Sequence, residues 1–256
     1  MIKKIIAIGG GEIGRPGFPV ETTLIDREII RQTHKKHPKL LFIPTASSES
    51  ESYANVVTKH FGNRLGCRVS VLWLLKKRLT HKEITNKVMS SDIIYVGGGN
   101  TLKMMNIWRR LGVDKCLKNA YEKGIVLSGL SAGSICWFRY GNSDSRLFTS
   151  GSKKLIRVTG LGLINAFHCP HYDVEVRRQA DLKRMMRKTP LMAIALENCT
   201  ALEVIDNRYR IIKSKPTARA FKVYWKGGRY FQYEIPCKKE FEALGTILRK
   251  NPIQKH

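Results

Sequence analysis

Gly124-Ile-Val-Leu-Ser-Gly-Leu-Ser-Ala-Gly133 is the stretch whose reading decides the fold. Its Ile125-Val126-Leu127 run has the length and β-branched content of a buried parallel strand. The run passes directly into Gly129-Leu130-Ser131-Ala132-Gly133, a G-x-S-x-G element between a strand and a helix. A residue at the tip of so sharp a turn takes an unfavourable backbone, and flanking glycines remove the Cβ atoms that would strike the adjoining strand and helix. Ser131 then stands at the carboxyl edge of the sheet. The N–H of Ala132, opening the next helix, points to where an oxyanion would form. A glycine-rich loop with a serine helix cap fits the same five residues, so the rest of the chain must weigh nucleophile against cap.

Working outward, the preceding strand-like run, Asp92-Ile-Ile-Tyr-Val, ends in Gly97-Gly98-Gly99-Asn100-Thr101. Three glycines in a row let the backbone approach a ligand and leave N–H groups free to donate. Asn100 or Thr101 suits the cap of a helix starting at Leu102. Further back, Ile-rich residues 2–8 lead into Gly9-Gly-Gly-Glu-Ile-Gly14, which satisfies G-x-G-x-x-G. The next strand ends in Pro44-Thr45-Ala46 and lacks the acidic residue that would hold a ribose. The loop therefore reads as a tight turn beside the cleft, with phosphate binding as the lesser alternative. Helices are expected at 26–36, 50–65, 80–89, 102–110 and 114–123, where His60 falls on an apolar helical face and reads as structural.

After the elbow, Ser134 to Tyr140 is expected to be the helix behind the serine, stopped by Gly141-Asn142 and followed by a polar Ser143-Asp144-Ser145 loop. An apolar strand then ends in His168-Cys-Pro-His171-Tyr-Asp173, and residues 174–188 form a basic helix. From Met192 to Ile235 short strand-like runs alternate with the turns Asp206-Asn207 and Lys226-Gly-Gly. This order of elements predicts an α/β fold: a doubly wound, mostly parallel sheet flanked by helices, with a C-terminal antiparallel strand extension. A single domain over residues 1–256 is expected, 192–235 being its strand-rich part.

The 256 residues are 43% hydrophobic, enough for a substantial core, and no apolar run approaches the ~20 residues a membrane span needs. The apolar start is cut short by Gly9-Gly-Gly-Glu12, so it reads as a first strand and the protein as cytoplasmic. Six cysteines without a C-x-x-C pair read as reduced, mostly buried thiols, and no metal site is expected. Forty-six Lys and Arg against twenty Asp and Glu give a net charge of +26, a field that attracts anions. The basic residues are spread in local clusters with no recognisable nucleic-acid module, so a nucleic-acid partner is not expected.

Ser131, the Gly97–Asn100 loop and a histidine, His168 or His171, thus fall at strand ends of one predicted sheet. Imidazole titrates near working pH, which makes it the usual base for a serine. Val96-Gly-Gly-Gly-Asn-Thr101, Gly129-Leu-Ser-Ala-Gly133, Ser143-Asp-Ser145 and Pro170-His-Tyr172, in this order and approximate spacing, resemble the dipeptidase E and cyanophycinase family of serine peptidases. The similarity runs from Lys3 to about Leu202. It implies the fold of the class I glutamine amidotransferases, with serine where those enzymes carry cysteine.

Carried over by position, the resemblance implies Ser131 as nucleophile, His171 as general base, and the N–H groups of Gly99 and Ala132 as the oxyanion hole. The family's acidic third member matches Asp144, or a Leu-x-Glu-Gly step that reads here Leu196-Glu197-Asn198-Cys199, with Asn198 in the acid's register. The third member thus stays open among Asp144, Glu197 and Asn198. Arg177, in a Glu175-Val-Arg177 segment, resembles the arginine that grips a substrate aspartate, and Asn100 is a further substrate-binding candidate. The implied activity is hydrolysis of a short peptide after an N-terminal acidic residue, without metal or organic cofactor. A cyanophycinase-like or β-aspartyl amidohydrolase is the alternative. A non-catalytic anion- or RNA-binding protein on this fold is the alternative of another class. A homodimer is an open expectation.

Overall fold

Residues Lys4–Ile8 form strand β1, whose side chains divide by parity: Ile5 and Ala7 enter one core, Ile6 and Ile8 another. The same parity holds in β2 (Lys39–Ile43), where Leu41 and Ile43 face the first core and Leu40 and Phe42 the second. Strands apolar on both faces are what a sheet covered by helices on both sides requires. The computed structural model describes residues 1–174 and 176–250. Glu175, part of the segment compared above, lies outside them.

The chain continues through β3 (Arg68–Val71), β4 (Ile93–Val96) and β5 (Val126–Leu130), then β6 (Phe138–Ser143), β7 (Ile156–Thr159), β8 (Ile164–Cys169) and β9 (Ala193–Leu196). It ends with β10 (Thr200–Ile205), β11 (Arg208–Lys213), β12 (Ala220–Lys226), β13 (Arg229–Glu234) and β14 (Glu242–Ala243). Among the described residues two sheets form. The eight-stranded one has the order β14-β11-β10-β1-β5-β4-β2-β3, parallel from β1 to β3 and antiparallel from β10 outward. The six-stranded one has the order β13-β12-β9-β8-β6-β7, with β6, β8 and β9 parallel.

Helices α1 (Thr23–Arg31) and α2 (Glu51–Val57), the latter running into a π-helical turn at Thr58–Arg64, lie over the core of Ile6 and Phe42. Helices α3 (His81–Met89), α4 (Thr101–Leu111) and α5 (Val113–Glu122) pack on the opposite face, in a core that continues to Phe138, Ile194 and Ala220 of the second sheet. Thr80 and Glu83 form a reciprocal capping box at α3, and Asn100 caps α4 by accepting the Lys103 N–H. The expected α/β architecture with helices on both faces is therefore what the chain forms.

Two expectations change in detail. The helix after the elbow is one turn, α6 (Ala132–Ile135), and the chain from Phe138 is a strand of the second sheet, not a helix to Tyr140. Trp137 and Phe138 are fully buried between the sheets, and an antiparallel partner at Ile156–Thr159 takes up the backbone groups that a longer helix would have used. The late strands also divide: β10 and β11 extend the first sheet, whereas β9, β12 and β13 belong to the second. After a single turn, α7 (Leu147–Ser150), Val176–Met186 form the basic helix α8, outside the second sheet on a core of Phe167, Leu182 and Val223. Among the described residues no helix is long and apolar enough to cross a membrane.

Candidate active site

Strand β5 lies between β1 and β4, so the loops that leave all three at their carboxyl ends meet around Ser131. Ser131 has φ 56° and ψ −114°, a backbone that L side chains rarely adopt. Its N–H donates to the Ile8 carbonyl at 3.3 Å, which ties the elbow to the end of β1. The glycine spacing has the reason expected of it. A Cβ at Gly133 would sit 2.0 Å from the Val96 carbonyl oxygen, and one at Gly129 2.5 Å from the same atom. Only hydrogen fits at either place, so strand β4 can pass directly behind the serine.

The Gly97–Gly99 loop leaves β4 alongside. A Cβ on Gly98 would lie 3.3 Å from Ser131 Cβ. Gly97 N–H donates to the Ile43 carbonyl and Gly98 N–H to the Tyr53 hydroxyl at 3.2 Å. Gly99 N–H and Ala132 N–H make no hydrogen bond among the described residues, which leaves two donors beside the elbow. Asn100 does not join them: 4% exposed, it caps α4 and donates to the Ser145 carbonyl.

The histidine comes from the other sheet. After β8 the chain is stitched to the glycine loop of β1: His171 N–H donates to the Gly9 carbonyl at 3.0 Å, and Cys199 N–H to the Gly10 carbonyl at 2.9 Å. These two bonds bring His171 and Asn198 over Gly10. His171 Nδ1 lies 2.7 Å from Asn198 Oδ1. An amide oxygen only accepts, so Nδ1 carries the proton and Nε2 keeps the basic lone pair. A Cβ at Gly10 would strike Asn198 Oδ1 at 2.1 Å and the His171 ring at 2.4 Å. The Gly9–Gly11 run is thus a close-approach turn beside the cleft. Burial first and the Arg178 charge second lower the His171 pKa from its ordinary value; Asn198, Asp144 and Asp173 oppose them.

Ser131 and His171 both line a cleft of about 620 Å³, with Gly11, Arg15, Tyr53 and Gly98 among the other walls. No hydrogen bond joins Ser131 Oγ to His171 among the described residues, and such contacts commonly tighten only when substrate is bound. His168, the other candidate, is fully buried. Its Nδ1 is 3.0 Å from the Ile194 carbonyl, its Nε2 2.8 Å from Ser134 Oγ, and its ring stacks on Phe138. Burial pushes its pKa down to about 3, so it stays neutral and structural.

The other candidates separate. Glu197 turns away from His171 and pairs with Arg219, at 3.0 Å between Oε1 and Nη2 and 2.8 Å to the Arg219 N–H. Asp144 lies 3.5 Å from Arg178 Nη2 and makes no hydrogen bond to His171. Arg177 is exposed and lines a different hollow, of about 380 Å³, with Asp144 and Lys153. Residues given no role from sequence stand at the cleft instead. Glu12 Oε1 accepts three successive backbone N–H groups, and Oε2 holds Arg15 Nε at 2.6 Å. Burial pushes the Glu12 carboxyl up, but its bonds to Arg15 more than offset this and hold it below its ordinary value. Asp173, which does not line the cleft, accepts the Asn198 N–H at 2.8 Å. The signal for Asp173 was its place two residues after His171; Tyr53 was hidden in an apolar helical pattern.

The six cysteines are free thiols, all buried but Cys237. Among the described residues no cluster of three or more His, Cys, Asp or Glu could hold a metal ion.

Comparison with known proteins finds relatives along most of the chain. The model of peptidase family S51 matches residues 5–212. An uncharacterized peptidase of Bacillus subtilis strain 168, YgaJ, is 34% identical over 241 residues, covering 93% of this chain and 99% of its own. The crystal structure of a peptidase from an acI-B1 actinobacterium superposes with a TM-score of 0.67 at 18% identity, covering 95% of this chain and 97% of that one. A Listeria monocytogenes EGD-e structure gives 0.61 at 22% identity, covering 83% and 99%. At these identities the two structures speak for the fold.

Proposed function

The chain belongs to peptidase family S51 and is a serine-type peptidase, and from that premise we propose that it hydrolyses short acidic peptides with Ser131 as nucleophile, His171 as base and Asn198 as the group that orients the imidazole. The observation that carries this reading is one juxtaposition. A serine on a φ 56° turn shares a cleft with a histidine whose Nδ1 is held 2.7 Å from an amide oxygen.

In this mechanism His171 Nε2 takes the Ser131 Oγ proton as Oγ attacks the scissile carbonyl. The oxyanion accepts hydrogen bonds from Gly99 and Ala132 N–H, two backbone donors that no other group takes up among the described residues. The imidazolium then gives its proton to the leaving amine, and water, deprotonated by the same Nε2, opens the acyl ester. Asn198 fixes the tautomer but stabilises the imidazolium less than a carboxylate would. The charges of Asp144 and Asp173 supply part of what the amide lacks.

Preference for an acidic residue on the amino side of the scissile bond is supported by Arg15 in the cleft wall, oriented by Glu12, and by the net charge of +26. Arg15 takes over the role that position alone had suggested for Arg177. The test is hydrolysis of α-aspartyl, glutamyl, alanyl and β-aspartyl dipeptides by wild type and Ser131→Ala. Turnover of the α-aspartyl dipeptide is expected, with loss of about 10³-fold or more in the variant. Turnover confined to the β-aspartyl dipeptide would move the assignment to an isoaspartyl hydrolase, and equal rates on the alanyl dipeptide would remove the acidic preference.

A further inference from the structure

A net charge of +26 exceeds what a cleft for one small acidic substrate requires. Some of the basic residues are paired: Lys3, Lys35, Lys76, Arg210, Lys215 and Arg219 each meet a carboxylate. A different arrangement holds where the end of α8 meets the β12–β13 hairpin. Lys183 stands over the Tyr230 ring at 5.1 Å and Arg187 over Trp225 at 5.8 Å. The two rings meet edge to face at 5.8 Å, and the Trp225 indole N–H donates to the Lys183 carbonyl at 2.9 Å. Lys250 Nζ donates to the Trp225 carbonyl at 3.1 Å, and Lys226 and Arg229 face each other across the hairpin end. Among the described residues none of these five cations is in an ion pair, and none lines the cleft of Ser131.

We propose that this basic and aromatic face binds single-stranded nucleic acid. Cations gathered where a helix end meets a hairpin concentrate positive charge for a phosphate chain, and the exposed Arg187 guanidinium offers a plane on which an unpaired base can stack. A lipid surface fits less well. The large exposed apolar side chains, Phe18, Leu24, Phe148 and Val174 among them, lie elsewhere, and Trp225 is half-buried with its indole N–H tied to backbone, so nothing here projects to enter an acyl layer. This site is independent of the peptidase reading.

The experiment is fluorescence anisotropy of a labelled oligouridine with the intact protein across a salt series. Binding at about 50 mM salt is expected, with log affinity falling against log salt at a slope of about −3 to −4 for five neutralised phosphates. Lys183→Glu with Lys226→Glu should weaken binding tenfold or more and flatten the slope by about 1.4, leaving dipeptide hydrolysis unchanged. The control pair Lys82→Glu with Lys118→Glu, on exposed and unpaired lysines of α3 and α5, should change it far less. No binding at low salt, equal loss in both pairs, displacement by poly-glutamate as effective as by unlabelled RNA, or tighter capture by phosphatidylserine vesicles would each overturn the proposal.

Discussion

At His171, burial and the Arg178 guanidinium disfavour the imidazolium, while Asn198, Asp144 and Asp173 favour it. The net direction is downward, so the ring stays neutral, and in the proposed mechanism able to accept the Ser131 proton, to lower pH than an ordinary histidine. The acid limb of kcat/KM should accordingly fall below about pH 6.5. Replacing Asn198 by aspartate adds a carboxylate next to Nδ1, favours the imidazolium and should move that limb to higher pH. Asn198→Ala, which leaves the tautomer unset, should lower kcat by about 10²-fold with little change in KM. A pH–rate profile of the three proteins measures both effects, and an unmoved acid limb in Asn198→Asp would remove Asn198 from its role. At this scale the motif was legible but the partner was not. Register put Asn198 in the acid's place beside two alternatives; in the structure Asn198 meets His171 Nδ1, Glu197 pairs with Arg219 and Asp144 lies beside Arg178. His168 and His171, three residues apart, could not be separated by type; one is sealed between sheets and the other lines the cleft.

The elbow is the element on which the site depends. Gly133 lies against Val96, where an added Cβ would come within 2.0 Å of a backbone oxygen that cannot swing away. Gly133→Ala should therefore destabilise the fold by about 3 kcal/mol, about 10 °C in Tm for a chain of this size, as thermal unfolding followed by circular dichroism would register. A Tm within error of wild type would mean that β4 and β5 can separate locally. Strand β5, the glycine loop after β4 and the cap at α4 were all readable because their causes are local: β-branched runs, glycine triplets and a capping asparagine. The short α6 was not. The elbow context suggests a helix over residues 134–140, but their Ile, Trp, Phe and Tyr favour a strand, and the burial of Trp137 and Phe138 turns the chain into strand β6.

Over the whole molecule, the positive field should steer acidic substrates to the cleft. Raising ionic strength from about 20 to about 200 mM should reduce kcat/KM for an aspartyl dipeptide severalfold while leaving an alanyl dipeptide nearly unaffected. A parallel fall for both would place the salt effect on the enzyme and not on encounter. The sequence by itself determined the α/β class, the parallel strands, the elbow at Ser131 and the donor loop at Gly97–Gly99, because each is written in near neighbours whose sterics and periodicity act over a few residues. Only the tertiary structure decided which sheet each late strand joins, that His171 and Asn198 sit over Gly10, and that Arg15 stands in the cleft while Arg177 does not. Those outcomes rest on bonds such as His171 N–H to Gly9 and Cys199 N–H to Gly10. Their partners lie more than 160 residues apart, a separation at which local pattern carries no information and packing alone sets the distance.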